Sequence, residues 1–414
     1  MWRHIRYGRL AGALVLHPSV LVSSAQTPTT APNLEEVVAR ALRNNPDLAL
    51  ARLRADSAHG QQRIARALPN PQLGSAPNQP WQYTLTVPLD ITPQRLFRTR
   101  AAGRGTDAAL DDALDIQRQV KFSARQAFLD VLLAERQRDL ADERRGVFRQ
   151  LLAADSARWH AGDIPQRDLT KAELEEARAD ADYLRVVGQM HAARLALQLL
   201  MGMAAPDTGF LIAGELSYRA VDVPVDSLAQ LAVRSRPDLR AAGERVEQTK
   251  AFDALATASL VPLPILTFSH TAQIFPRGDL FTFGTRNSIG FGFTFPLFYF
   301  NGGERQMARV AVDQARVSAR RLDAEVANDV ATALDAYRSS RTLSERYESG
   351  LLARAQDVLE TARYAYGTGA VSLLELLDAI ATWSDTRAAY FGALHDYWIG
   401  VYAVERAVGR DFTQ

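Results

Sequence analysis

The sequence predicts a mainly α-helical protein with a small β part, built from a duplicated unit of helix, strand, strand and long helical hairpin. No proline occurs between Pro93 and Pro165 or anywhere in 297–414, so very long helices can form there. The segments 81–88 and 289–296 alternate apolar and polar residues, as strands with one apolar face do. These features occur twice in the same order, which indicates an internal duplication.

Composition excludes several functional classes. The chain has no cysteine, which excludes disulfides, thiolate metal sites and catalytic thiols. Its formal net charge of +1 gives no electrostatic basis for binding nucleic acid. The sequence contains no phosphate-binding glycine loop, nucleophile elbow or metal-ligand spacing. We therefore expect no enzyme activity, no catalytic residues, no cofactor and no metal site.

The N-terminus is typical of a secretory signal. Arginines within the first nine residues precede the short apolar run Leu10–Val22, and Ser23–Ala25 supplies small residues for cleavage. The sequence therefore predicts a signal peptide at 1–25, followed by an extended polar segment at 26–32. No later stretch approaches the roughly 18–20 apolar residues of a membrane-spanning helix.

The first repeat is predicted at 33–204. Asn33 and Glu36 have the spacing of a capping box and open its first helix. Thr92 is expected to cap a very long helix that has Pro93 at its first position. The other elements are strands at about 72–76 and 81–88 and a long helical hairpin at 93–201.

The second repeat is predicted at 225–414, after a linker at 205–224. Its opening segment 228–239 repeats the pattern of 37–48, including a Pro-Asp-Leu triplet near the end. Its other elements are strands at about 265–273 and 289–296 and a long helical hairpin at 302–408.

The residue pattern of the strands indicates contact with a membrane. In 81–88 the apolar residues Trp81, Tyr83, Leu85 and Val87 share one face, and glutamine and threonines occupy the other. An outer-membrane barrel has this alternation, although a soluble sheet can also have it. Four strands cannot close a channel-sized barrel, so the barrel would be shared between subunits. Pro88 and Pro296 are expected to end their strands and lead into the long helices.

Short motifs in this order resemble the outer membrane efflux protein family, the TolC-like exit ducts. They are LPNP at 68–71, TVPLD at 86–90, FTFPLF at 293–298, and Tyr366, Gly369 and Leu377-Asp378-Ala379 around the second turn. Within that family the chain is most similar to the outer-membrane subunits of cobalt–zinc–cadmium-type resistance systems.

The resemblance implies a homotrimer in the cell outer membrane. Its twelve-stranded barrel would sit in outer-membrane lipid and continue as a long periplasmic α-helical barrel. Such a trimer is a passive exit duct for metal cations or small toxic compounds. It would dock a periplasmic adaptor (membrane fusion) protein and a proton-coupled inner-membrane transporter.

The resemblance also implies functional residues at the hairpin turns. Glu375 and Asp378 fall where the family has acidic residues at its periplasmic aperture, and Asp168 and Lys171 are the matching positions of the first repeat. Lys171 breaks the acidic pattern and could pair with a carboxylate across the tip. The alternative for Glu375 and Asp378 is ordinary first-turn acids favoured by the helix dipole.

Glycines mark the two hairpin turns. Gly162 and Gly369 are expected in the left-handed conformation, which glycine adopts without steric cost. Together with Gly367, they are the residues that the family resemblance places at the adaptor contact.

Two other functions are compatible with parts of the sequence. A periplasmic coiled-coil adaptor or scaffold would explain the long hairpins and the signal peptide, but neither the aromatic strands nor the duplication. A TolC-like duct for drugs or proteins would share every feature, because the pump and the adaptor select the cargo.

Overall fold

The protein consists of long α-helices and one small sheet. The computed structural model describes residues 31–77, 81–223, 227–277 and 280–413, which contain nine α-helices and four strands. The predicted signal peptide at 1–25 and most of the extended segment after it lie outside the described residues. Within those residues, none of the helices combines the length and the apolar character needed to cross a membrane.

The first half of the chain contains six elements. They are α1 (Leu34–Asn44), α2 (Pro46–Arg66), β1 (Gln72–Ala76), β2 (Trp81–Pro88), α3 (Pro93–Ala161) and α4 (Gln166–Leu200). The capping box predicted for Asn33 and Glu36 is confirmed. Thr92 is the N-cap residue of α3 and Pro93 is its first residue, as predicted, but the Thr92 side chain makes no capping hydrogen bond. Pro93 at the first helical position supplies the favourable φ angle instead.

The second half repeats this order. Its elements are α5 (Leu228–Ser235), α6 (Pro237–Ala258), β3 (Ile265–Arg277), β4 (Leu280–Gly292), α7 (Gly302–Arg346), α8 (Leu352–Gly367) and α9 (Leu373–Val408). Between α4 and α5, residues 205–223 contain no helix or strand.

The outgoing arm of the second hairpin is interrupted, although the sequence predicted one continuous helix. A π-helical turn at Tyr347–Leu351 separates α7 from α8, and Gly350 within it has a φ of 129°. Residues with a Cβ rarely adopt this backbone conformation. Gly350 therefore allows the helix to break here. The absence of proline around it had predicted a continuous helix.

The four strands form one antiparallel sheet in the order β1-β2-β3-β4. The central pair, β2 and β3, joins the two repeats, with Leu85 opposite Phe268 and Thr84 opposite Ser269. Directly opposite residues lie on the same face of a sheet. The register therefore gathers the apolar residues of both repeats on one face.

The predicted bounds of the last strand were wrong. β4 begins at Leu280 and ends at Gly292, which pairs with Ile265. Ile265 is the first residue of β3 and follows Pro264, so residues after Gly292 have no paired strand beside them. Pro296 therefore lies beyond the strand that it was expected to end, whereas Pro88 is the last residue of β2.

The helices of the described residues pack around three apolar cores, the smallest of which joins α1 and α2 to α3. The largest core lies where α3, α4, α7, α9 and residues 210–223 meet, and Tyr397 is fully buried in it. The Tyr397 hydroxyl accepts a hydrogen bond from the Val221 amide (2.9 Å) and donates one to the Arg219 carbonyl (2.8 Å). A second core, near the hairpin turns, contains Phe148, Tyr366 and Trp383. The segment after α4 is thus held against both hairpins.

Candidate functional site: an apolar sheet face and two hairpin turns

One face of the sheet exposes large apolar side chains. A row across the four strands consists of Leu73, Leu85, Phe268 and Ile289, which are 77%, 38%, 43% and 70% exposed. Leaving such a face in water would cost about 25 cal/mol for each Å² that an apolar medium could cover. The face therefore suits contact with lipid or with another protein surface.

The opposite face of the sheet is polar. The neighbouring row consists of Gly74, Thr84, Ser269 and Ser288. The Thr84 and Ser269 hydroxyl oxygens lie 3.4 Å apart, and the Gln82 amide donates to the Thr84 hydroxyl at 3.3 Å. The sheet thus separates an apolar side from a hydrophilic side, as a wall between lipid and water does.

The sheet and the hairpin turns lie at opposite ends of the long helices. α3 starts shortly after β2 and has 69 residues, which corresponds to a length of about 100 Å at 1.5 Å per residue. α4 returns from the turn alongside α3. Whatever the sheet contacts, the turns reach a zone about 100 Å away from it.

Two glycines with positive φ shape the turns. Gly162 follows α3 with a φ of 83°, and Gly369 lies two residues after α8 with a φ of 77°. Gly367 is the last residue of α8 and is not among the glycines with positive φ. All three are exposed, so the turns are accessible to a partner.

The two predicted aperture acids lie on the exposed face at the start of α9. Glu375 forms a capping box with Ser372: the Ser372 amide donates to Glu375 Oε2, and the Glu375 amide donates to Ser372 Oγ, both at 3.3 Å. Asp378, one turn later, has no hydrogen bond or ion pair within the described residues. Glu375 thus has a local structural role, whereas Asp378 is free to act on a solute or a partner.

The matching residues of the first hairpin are in different surroundings. Asp168 is partly buried and pairs with Arg167 at 3.3 Å. Lys171 is also partly buried, but no carboxylate of the described residues lies within 4 Å of it, so the pairing expected across the tip is not formed within one chain.

A buried polar cluster that the sequence did not reveal lies near the two turns. Asp155 of α3 is 0% exposed, and its Oδ1 accepts a hydrogen bond from the Tyr366 hydroxyl of α8 at 2.8 Å. Arg158 lies 4.0 Å from the same oxygen, and its guanidinium lies 5.0 Å from the centre of the Tyr366 ring. Burial raises the pKa of both Asp155 and Tyr366. The cluster joins the first hairpin to the second near their turns.

One sequence signal could have found Asp155. It lies four residues after Leu151 and seven after Phe148, which places it on the apolar stripe of α3. A carboxylate on a buried stripe requires a partner. The partner is 211 residues away in the sequence, and no local pattern identifies it.

The described residues contain no group of three or more histidine, aspartate or glutamate side chains that could hold a metal ion.

Comparison with known proteins relates this geometry to one family. The family model described as outer membrane efflux protein matches residues 37–203 and 228–410. The chain is 24% identical over 385 residues to the cobalt-zinc-cadmium resistance protein CzcC of Cupriavidus metallidurans, covering 91% of this chain and 90% of that protein. It is 26% identical over 369 residues to the cation efflux system protein CusC of Escherichia coli K12, covering 84% and 79%.

Solved structures share the fold. A crystal structure of CusC superposes with a TM-score of 0.76 at 20% identity, covering 93% of this chain and 96% of that one. The CmeC outer membrane channel of Campylobacter jejuni gives a TM-score of 0.78 at 18% identity, covering 99% and 95%.

Proposed function

Because the chain belongs to the outer membrane efflux protein family, we propose that it is the outer-membrane channel subunit of a tripartite system that exports metal cations. The family resemblance read from the sequence is confirmed. The protein is a passive channel component and not an enzyme. The observation that carries the proposal is the sheet with its exposed apolar face. Its strand β2 ends at Pro88 and is followed closely by α3, a helix about 100 Å long.

The relatives support a metal-ion cargo. CzcC is named for cobalt, zinc and cadmium resistance, and CusC is named for cation efflux. Both align with most of this chain. The cargo proposed here is therefore a divalent or monovalent metal cation, delivered by the other components of the system.

The unpaired edges of the sheet support a trimer. β1 and β4 each have one edge without a partner strand in the described residues, and such edges are unfavourable when left open. Four strands cannot enclose a channel, whereas three copies would supply twelve. We propose that each copy pairs with the next, so that the apolar face contacts outer-membrane lipid and the polar face lines the pore.

An aromatic segment after β4 also supports contact with lipid. Phe293, Phe295 and Phe298 are all exposed, and the segment directly follows the apolar sheet face. Aromatic residues are enriched where a membrane meets water. We propose that this segment lies at the periplasmic boundary of the outer membrane.

The hairpin turns are the proposed docking end. They lie about 100 Å from the sheet, and Gly162, Gly367 and Gly369 are exposed there. A periplasmic adaptor and, through it or directly, a proton-coupled inner-membrane transporter would engage these turns. The two stretches matched by the family model support the division into repeats at 33–204 and 225–414.

We assign the aperture to the acids near these turns. In a trimer, Asp378 would supply a ring of three carboxylates, which attracts cations. Glu375 would add a second ring while capping α9. Asp168 and Lys171 of the first hairpin would lie beside these rings.

The periplasmic scaffold alternative is not favoured. It leaves the exposed apolar sheet face unexplained, and it does not account for the likeness to outer-membrane channels. A duct that exports drugs or proteins would share all these features and would differ from a metal-exporting duct only in its cargo.

Deletion of the gene from its native host tests the function. We expect the deletion strain to become sensitive to cobalt, zinc or cadmium salts, and the restored gene to reverse this. The outer-membrane fraction of the parent should contain an oligomer that dissociates to monomer on heating in detergent. A soluble, monomeric mature protein would refute the channel. Sensitivity to organic toxins alone would refute the metal cargo.

A further inference from the structure

A cavity beside the C-terminal end of α9 has more basic than acidic residues in its lining. It has a volume of about 500 Å³ and lies between α3 and the last residues of the chain. Glu405 and Asp411 are its acidic residues. The basic residues in its lining are Arg118, Lys121 and Arg125 of α3 and Arg406 and Arg410 near the C-terminus.

The three basic residues of α3 are neutralised. They recur at intervals of three and four residues and therefore share one face of the helix. Each has an acidic partner: Arg118 pairs with Asp115, Lys121 with Asp411, and Arg125 with Glu405. The acids in the cavity are thus already engaged.

The two C-terminal arginines are not neutralised. Neither Arg406 nor Arg410 has an ion pair within the described residues. The Arg406 guanidinium lies over the Phe122 ring, 4.2 Å from its centre. Partial desolvation and then the positive charge of Arg118 lower the pKa of Arg406. The negative charge of Asp329 acts in the opposite direction on the pKa of Arg406. The lining of the cavity therefore includes two exposed arginines that have no ion pair within the described residues.

We propose that this cavity binds an oxyanion, held by Arg406 and Arg410 beside Arg118. Guanidinium groups form paired, charge-assisted hydrogen bonds to carboxylate and phosphate oxygens. A bound anion would connect α3 to the end of α9, and thus one repeat to the other. The proposal goes beyond the channel function and does not depend on the cargo.

The position of the cavity restricts the source of the anion. Arg118 lies 25 residues after the first residue of α3, or about 40 Å along the helix from the sheet. This is beyond the reach of lipid headgroups around the sheet. The oxyanion is then either a free periplasmic anion such as phosphate or a carboxylate of a second copy of this chain.

Thermal unfolding of the purified full-length protein in detergent tests the site. Inorganic phosphate is titrated against sodium chloride of equal ionic strength, and the native oligomer is followed in parallel by unheated gel electrophoresis. The test variant combines Arg406→Gln and Arg410→Gln. The control combines Arg316→Gln and Arg321→Gln, which also removes two arginines but from the exposed surface of α7.

We expect phosphate to raise the melting temperature saturably in the wild type and the control. In the test variant the half-saturating concentration should rise at least about tenfold. This result identifies a free oxyanion. If phosphate has no such effect but the test variant alone weakens the oligomer, the anion is a carboxylate of a second copy. If neither occurs, the proposal is overturned.

Discussion

At the level of single residues, the contact between Asp155 and Tyr366 is a direct polar link between the turn regions of the two hairpins. Asp155 Oδ2 is buried and has no hydrogen-bond partner within the described residues, so the hydroxyl of Tyr366 is the main support for this carboxylate. A buried polar group that loses its partner retains the full cost of its desolvation. Separation of the turns would require breaking this contact.

We predict that Tyr366→Phe loosens the turns. The change keeps the ring in the core but leaves Asp155 without its donor, at a cost of about 1–3 kcal/mol. We expect faster proteolysis at the turns and greater uptake of large antibiotics through the channel. Tyr364→Phe is the matched control, because Tyr364 is 77% exposed and makes no hydrogen bond through its hydroxyl within the described residues. Equal behaviour of the two variants would contradict the prediction.

A second residue-level feature is the histidine that joins α9 to α3. His395 Nε2 lies 2.7 Å from Asp130 Oδ1, and its Nδ1 lies 3.1 Å from Asp396 Oδ1. Burial alone would lower the pKa of His395, but the hydrogen bonds to Asp130 and Asp396 outweigh it and raise the pKa. Protonated His395 therefore stabilises the folded state.

This raised pKa predicts the direction of a pH effect. The stabilisation is fully present below the unfolded pKa of about 6.5 and is lost as the pH rises through the higher folded-state pKa. We expect His395→Gln to lower the melting temperature at about pH 5.5 but much less at about pH 8.5. The control is His191→Gln, at an exposed site. A pH-independent difference would refute this account.

At the level of the elements, pairing of the strands combines two weak alternating patterns into one apolar face. Each strand alone could belong to a soluble protein. Paired in register, the strands place Leu73, Leu85, Phe268 and Ile289 in one exposed row. Only a medium or partner that accepts the entire row makes this arrangement favourable.

The two faces of β2 predict opposite responses to a charge. Leu85→Lys should reduce assembly in the outer membrane, because a lysine on the lipid face costs about 2–4 kcal/mol near the bilayer midplane. Thr86→Lys, one residue further on the polar face, should assemble nearly normally. Unheated electrophoresis of outer-membrane fractions measures both. Equal assembly of the two variants would indicate that lipid does not contact the Leu85 face.

The break between α7 and α8 is also an element-level feature. The ring of Tyr347, the first residue of the π-helical turn, lies 6.1 Å from the Tyr390 ring at a tilt of 59°, and Tyr390 donates a hydrogen bond to Glu348 at 2.8 Å. The π-helical turn is therefore fixed against α9 rather than left unsupported. Gly350 supplies the backbone conformation that this arrangement requires.

At the level of the whole molecule, the chain places an apolar sheet and accessible acids about 100 Å apart. A single copy can neither close the sheet nor enclose a pore. Both the proposed barrel and the proposed aperture therefore depend on assembly, and the acids of α9 acquire a collective role only there.

The assembled channel predicts a change in ion selectivity. In planar bilayers, the double variant Glu375→Ala and Asp378→Ala should show a lower ratio of cation to anion permeability, because each replaced position removes three carboxylates from the proposed trimer. Asp335→Ala, which removes an exposed carboxylate of α7, should change the ratio much less. An unchanged permeability ratio in the double variant would show that these acids do not line the aperture.

The sequence determined much of this molecule because the responsible interactions are local. Long proline-free segments permit long helices, period-2 alternation indicates β2 and its apolar face, and Asn33 with Glu36 marks a helix start. The order and duplication of these features sufficed to identify the family. The site residues near α9 came from that resemblance, since acids in a first helical turn are otherwise common.

Tertiary structure decided what depends on distant partners. The end of β4 at Gly292 was set by where β3 begins, although the alternation in the sequence continues to Phe295. Asp155 and Tyr366 meet only because the two hairpins pack together. The period of a sequence reports which face a residue occupies, but not what lies opposite it, since that depends on chain segments some 200 residues away.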